Sequence, residues 1–282
     1  MVAKTEPVRK VGTVGECSNF SCIASDGNTV WGLKINKKDE NNLQSVLFYS
    51  ANINESISHY GIETNRLGHG NGMTCNSNYI VFGCKPGKYI YRVPRDFGGN
   101  FSHKFVDRVS TETSVGAIST YKAYHHLIRN QDAFSGKNKG YDRFTDITVL
   151  ENDAKHAVST TYGESFYTRT QTHDIAEQQD IFYDKQTKHL FAIYNKKDAA
   201  GHLVINVIEI YDLGSTPTAY MNGGKCYEMI DKIVIDKSSN PEYTKYEVES
   251  IGLDANRKML MACNIEGNGV SDAIERITNI TF

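Results

Sequence analysis

The chain has 282 residues, a formal net charge of −2, 39% hydrophobic and 23% charged residues. A chain of this size can bury roughly three quarters of its unfolded surface, so neither a disulfide framework nor a metal is needed to fold it. Its longest basic clusters, Lys37-Lys38 and Lys196-Lys197, are pairs next to acids, which argues against nucleic acid as partner.

No stretch approaches 18 apolar residues, so no transmembrane helix is expected, and the opening MVAKTEPVRKVGTVGE lacks the apolar core of a secretory signal. The expectation is synthesis in the cytoplasm, with any release by a non-classical route. The six cysteines (Cys17, Cys22, Cys75, Cys84, Cys226, Cys263) form no CxxC and no zinc-finger spacing. They read as small core hydrophobes. Cys75 and Cys84 are placed to flank one hairpin, leaving a disulfide as the alternative. The oligomeric state is not legible.

In chain order, an early strand is expected over Val8–Val14. A recurring unit follows: a polar residue, a short apolar strand, a turn of Asp, Asn or Gly, a second apolar strand, then a third. Phe20–Ile35 carries it around Asp26-Gly27-Asn28, and Asn71–Gly83 around Asn76-Ser77-Asn78. Val115–Asn130 carries a less regular copy. Two copies align without gaps through their turns, QDIFYDKQTKHLFAIYN (Gln179–Asn195) and ESIGLDANRKMLMACN (Glu249–Asn264), with Asp184 and Asp254 opening the turns. Third strands are expected in SVLFYS from Ser45, KYIYRV from Lys88, FTDITVL from Phe144, LVINVIEIYDL from Leu203 and DAIERITNITF from Asp272. Alternation at Ile205, Val207, Glu209 and Tyr211 predicts one buried and one wet face, whereas the second strands, without alternation, predict burial on both faces. HDIAEQQ from His173 reads as one helical turn.

These elements predict an all-β chain forming a single β-propeller domain over residues 1–282. It has five blades, from repeats near 15–60, 66–108, 112–151, 175–213 and 245–282, closed by the N- and C-terminal strands. A β-sandwich explains the strands but not the repeat.

In a propeller, the residues that open each innermost strand face the central channel. Those positions hold Asn19, His69 with Asn71, Gly116, Gln178 with Asp180, and Glu247 with Glu249. Amides, carboxylates and a histidine suit sugar hydroxyls, which need both donors and acceptors. No cofactor is implied, although carboxylate and carbonyl oxygens there suit a structural cation. LGHGNGMT (Leu67–Thr74) is the most distinctive local motif. It is either a ligand contact through His69 and Asn71 or a tight inter-blade packing element. His173-Asp174 has the form of a base with its orienting acid, yet no Gly-x-Ser-x-Gly elbow accompanies it. Asp180 and Glu249 would serve a glycoside hydrolase if they stand about 5 to 9 Å apart. Trp31 reads as core. His125 and His126, adjacent on a strand, point to opposite faces and cannot share a metal. A protein-binding scaffold using insertions at about 131–143 and 214–245 is a further reading.

The stretch YEVESIGLDANRKMLMACNIEGNGVSDAIERITN (Tyr246–Asn279) resembles the end of the helveticin J-like family of large bacteriocins. The shared features are an E-V-E-S-I opening, an apolar strand and a final strand. Gln178–Asn195 and Gly32–Ile35 are compatible with it. LGHGNGMT is similar to an H-x-N-x-M-T element of bacterial propeller proteins. The resemblance implies a released antibacterial protein acting at a bacterial surface and carries no catalytic residue with it. The function expected is thus binding of a cell-surface glycan or wall polymer at the channel mouth, with hydrolysis and protein capture as alternatives.

Overall fold

The computed structural model describes residues 1–36, 44–55, 59–63, 69–75, 77–85, 89–95, 107–110, 118–121, 124–133, 143–151, 162–219 and 225–282. Among them all regular structure is β, with no helix. The strands fall into four-stranded antiparallel units. The first is β2 (Asn19–Asp26), β3 (Thr29–Ile35), β4 (Ser45–Ser50) and β5 (His59–Glu63), paired in chain order. The second is β6 (His69–Cys75), β7 (Tyr79–Lys85), β8 (Tyr89–Pro94) and β9 (Asp107–Ser110). Next come β10 (Ile118–Tyr121), β11 (Tyr124–Ala133), β12 (Arg143–Glu151) and β13 (Tyr162–Thr170), again paired in order.

The fourth unit joins β14 (Ile175–Asp184), β15 (His189–Lys197), β16 (Leu203–Asp212) and β18 (Lys225–Asp236), with the short β17 (Thr218–Ala219) against β18. The last contains β19 (Tyr243–Leu253), β20 (Met259–Gly267) and β21 (Ala273–Ile277). Its fourth strand comes from the other end of the chain. β1 (Thr5–Lys10) pairs antiparallel with β21, from Thr5 opposite Ile277 to Lys10 opposite Ala273. The early strand thus lies slightly ahead of the predicted Val8–Val14.

The first strands of the units pack on one another in cyclic order: β2 on β6, β6 on β10, β10 on β14, β14 on β19, and β19 back on β2. The arrangement is propeller-like. Hydrogen bonding also crosses between units. The first part of β18 pairs parallel with β13, Phe166 opposite Lys225 through Arg169 opposite Glu228, before its second part pairs with β16. Residues 225–236, read as part of an insertion, are therefore a 12-residue strand. The other insertion, at 131–143, lies largely outside the described residues.

Apolar side chains explain the stacking of the sheets. One core cluster joins Phe20, Trp31, Leu33 and Phe48 of the first unit to Ile80 and Phe82 of the second and to Leu260, Ala262 and Ile274 of the last. A second joins Phe191, Ile208 and Ile233 to Tyr246, Val248, Met261 and Ile277. Among the described residues the third strands β4, β16 and β21 are mostly buried, and this corrects their expected wet face. In β16 all residues from Asn206 to Tyr211 are buried, Glu209 included. The second strands β3 and β15 are buried throughout their centres, as their lack of alternation predicts.

The Asp turns fold as their sequence implies. Asp184 Oδ1 accepts the Gln186 amide N–H at 3.1 Å, and Asp254 Oδ1 accepts those of Asn256 and Lys258, each at 2.9 Å. One expectation and one alternative reading fail. HDIAEQQ is not helical: after Asp174, at φ 57°, the chain runs straight into β14, because Ile175 and Ile181 must reach the core on a paired strand. The Cys75–Cys84 bridge is absent. Cys75 lies opposite Ile80 and Cys84 opposite Gly70, at the two ends of the hairpin. Four strand residues from Ile80 to Cys84 span about 13 Å, whereas a disulfide needs Cα atoms within about 7 Å. The Cys75 thiol instead faces Ser25 O at 3.4 Å.

Candidate functional site

The structure places the residues predicted on the first strands unevenly. Asn19 opens β2, half-buried, opposite Ile35. His69 opens β6 opposite Lys85. The side chains of His69 and Asn71, and all of Gly116, lie outside the described residues, as do the side chains of His125 and His126. His173 and Asp174 are exposed just ahead of β14. Gln178 is half-buried opposite Tyr194. Asp180 is only 1% exposed, and its Oδ1 accepts the Ile181 amide N–H at 2.8 Å.

Glu247 and Glu249 gather the most chemistry. Glu247 is buried and ion-paired with Lys245 two residues before it. A bulge in β19 between Val248 and Ser250 interrupts the ladder at Glu249. The half-buried Glu249 carboxylate is met by Asn264 of β20, whose Nδ2 donates to Oε1 at 3.0 Å. Burial, and then the negative charge of Glu247, pushes the Glu249 carboxyl up to about 8. The Asn264 bond and the Lys245 charge oppose that rise, and Glu177 of β14 adds to it. Burial alone would lower the Lys245 ammonium, but Glu247 and then Glu249 and Glu266 hold it above its ordinary value. At neutral pH this arrangement offers one carboxyl that keeps its proton beside a paired cation. It can therefore donate and accept hydrogen bonds within one patch. Among the described residues no group of three or more His, Cys, Asp or Glu side chains is set to hold a metal ion.

Sequence reasoning missed Lys245, Asn264 and Glu177. Period-2 alternation through Lys245, Glu247 and Glu249 contained the signal for Lys245. Asn264 is visible only once β20 is laid in register, opposite Glu247.

Packing accounts for one glycine of LGHGNGMT. A Cβ on Gly70 would stand 2.6 Å from Leu33 Cδ2 and 3.1 Å from Cys22 Sγ, and the Gly70 carbonyl accepts the Ser21 hydroxyl. That glycine lets β6 close on β2. Trp31 is core, 1% exposed, with the Arg95 guanidinium 4.8 Å above its ring and Arg95 paired to Asp26 at 2.6 Å.

No family model and no curated protein matches the chain. Solved structures do. Glutaminyl cyclase from Myxococcus xanthus superposes with a TM-score of 0.53 at 7% identity, covering 98% of each chain. The tail fibre of Staphylococcus aureus phage P68 gives 0.53 at 13% identity, over 98% of this chain and 53% of that one, so this chain spans about half of the fibre protein. A Swd1 β-propeller domain from Myceliophteria thermophila gives 0.40 at 8% identity, over 97% of this chain and 90% of that one. At such identities the likeness is one of fold alone.

Proposed function

We propose that the chain is a five-bladed β-propeller, closed by β1 on β21, that binds a cell-surface glycan or wall polymer where its inner strands begin. Two structural features support the closed five-unit ring: the cyclic packing of β2, β6, β10, β14 and β19, and the pairing of chain-end strands. The observation that carries the binding reading is the group formed by Lys245, Glu247, Glu249 and Asn264. It places donors and acceptors together beside an inner strand, as recognition of sugar hydroxyls requires. Asn19 and Gln178, both half-buried on inner strands, extend the surface in this reading. A released, bacteriocin-like role at a bacterial surface fits this reading, and the tail fibre of a bacterial virus offers a fold-level parallel.

One observation favours glycoside hydrolysis as a second reading. Glu249, its carboxyl raised to about 8, beside Glu247, which is paired with Lys245, has the form of an acid with its partner carboxylate. One experiment separates the two: incubation of the protein with purified bacterial cell walls, assaying the pellet for protein and the supernatant for sugars. Saturable binding without sugar release supports the binding reading. Release that disappears in Glu249→Gln supports hydrolysis. Absence of both overturns both and leaves protein capture as the function to pursue.

A further inference from the structure

Past β20 the chain turns back toward β21 through residues 268–272, and the turn is built on two glycines. Gly267 lies opposite Tyr243 at the end of the β19–β20 ladder, where a Cβ would stand 1.8 Å from Glu242 O. Asn268 follows, its backbone N–H donating to Glu242 O at 3.1 Å. Gly269 has φ 74°, a left-handed conformation that residues with a Cβ rarely adopt. The corner thus favours glycine directly after Asn268, and the Asn-Gly pair is a consequence of the turn.

That pair carries chemistry of its own. The backbone nitrogen after an asparagine can attack the side-chain amide carbon, and a glycine, having no Cβ, leaves the approach open. Burial of the asparagine, a hydrogen bond on the attacking nitrogen and a backbone fixed in a ladder each oppose the attack. None of these holds at Asn268. Residues 266–269 are all exposed, and Asn268 and Gly269 lie past the last ladder pair. Among the described residues the Gly269 N–H makes no hydrogen bond. Other asparagines fail at least one condition. Asn264 is buried, and Asn240 precedes Pro241, whose nitrogen has no proton to lose. Asn54 and Asn279 are exposed but precede Glu55 and Ile280, each with a Cβ beside the nitrogen.

We propose that Asn268 is a site of spontaneous deamidation. The Gly269 nitrogen gives up its proton and bonds to Asn268 Cγ, while the Cγ–Nδ2 bond breaks and the amide nitrogen leaves as ammonia with that proton. Water then adds to one of the two carbonyls of the resulting succinimide and opens the ring to aspartate or isoaspartate. No oxidant or reductant takes part. Either product adds one negative charge where Glu242 and Glu266 are already exposed, Glu266 lying 3.9 Å from Lys245. Deamidation therefore makes the chain more acidic at the end of the strand pair that carries Lys245.

The test is incubation of the full folded chain at pH 8 and at pH 6, with peptide mapping by mass spectrometry at intervals. The expected result is a gain of one mass unit in the Asn268 peptide, resolved by chromatography into aspartyl and isoaspartyl forms. Its rate should exceed that at Asn54 and Asn279 by roughly tenfold or more. It should be faster at pH 8, because the attacking nitrogen must lose its proton. Asn268→Gln, which would have to close a larger ring, should keep its mass over the same period. An Asn268 peptide that keeps its mass in the folded chain overturns the proposal, and conversion in chain unfolded by guanidinium chloride would then assign the protection to the fold. Conversion no faster than at Asn54 and Asn279 overturns it as well.

Discussion

Lys34 Nζ lies 2.9 Å from Asp272 Oδ2 with the two side chains 1% and 5% exposed, a buried ion pair between residues 238 apart in the chain. Every strong group of the pair is satisfied. Lys34 also donates to the carbonyls of Val11 and Gly12 at 3.0 and 3.1 Å. Asp272 accepts the backbone N–H of Phe20 at 3.0 Å and of Ile265 at 2.8 Å. The pair therefore ties the N-terminal segment, the first unit and the last unit together at one point. Removing one partner leaves a buried charge uncompensated, which costs about 3–5 kcal/mol. Lys34→Ala is expected to lower Tm by roughly 10 °C. Asp272→Asn, which still accepts from one amide, should lose less than Asp272→Ala. Thermal unfolding followed by circular dichroism checks this; an unchanged Tm in Lys34→Ala would refute it.

Glu249 sets a pH dependence of opposite sign to that of most carboxylates. Its folded value is raised to about 8, so the native state holds the proton more tightly than the unfolded chain. The stability it contributes is complete below the ordinary glutamate range and declines as pH rises from there to about 8, then levels off. Glu249→Gln should remove this slope and raise Tm at pH 9. Tm measured from pH 5 to 9 decides; a wild-type curve flat over that window would count against the raised carboxyl.

Asp184 behaves in the usual direction. Burial works against its charge, but Arg257 from the last unit, then Thr187 and the Gln186 amide, hold the carboxyl below its ordinary value. The contribution is present above the ordinary aspartate range and is lost as pH falls through the depressed value. Arg257, which also donates to Gln186 Oε1 at 2.9 Å, clasps the fourth and last units at their turns. Arg257→Ala should therefore flatten the pH dependence that Asp184 contributes and, by weakening the clasp, shift the acid-unfolding midpoint to higher pH. Acid titration monitored by tyrosine fluorescence reads the midpoint, and an unshifted one argues that the clasp is inert.

Gly70 separates the packing reading of LGHGNGMT from the ligand reading. A methyl there meets Leu33 and Cys22, and overpacking of this kind costs about 1–3 kcal/mol. Gly70→Ala should lose stability by that amount in urea unfolding. Gly70→Ala should cost less in a Leu33→Ala background than in the wild type, because the space that the methyl needs is then open. An equal cost in both backgrounds would place it elsewhere than in the contact with Leu33.

The chain ends supply a test of closure. Residues 1–10 pair with β21 and reach back to β18, where the Met1 amino group donates to Lys232 O at 2.7 Å. Deleting them exposes the edge of β21, a template for another strand. The truncated chain should lose several degrees in Tm and self-associate as concentration rises, measurable by light scattering. A monomer of unchanged Tm would show that β1 does not close the structure.

Much of this molecule is legible in one dimension. Apolar runs such as TVWGLKI and HLFAIYN marked strands covered on both faces, and the aspartates at 184 and 254 marked turns. Both signals depend on backbone pleat and on side chains bonding amides two to four residues away, so they survive without knowledge of the neighbours. Opposite pairing, by contrast, was invisible. The apparent wet face of Ile205–Tyr211 is buried because another sheet covers it, and Cys75 and Cys84 are kept apart by hairpin register. The sequence by itself determined the β class, the repeat and its turns, because these follow from local periodicity. The tertiary structure alone decided the Lys34–Asp272 pair, the pairing of β1 with β21 and the Arg257–Asp184 clasp. Each joins segments tens to hundreds of residues apart, and such contacts depend on how the sheets stack on one another.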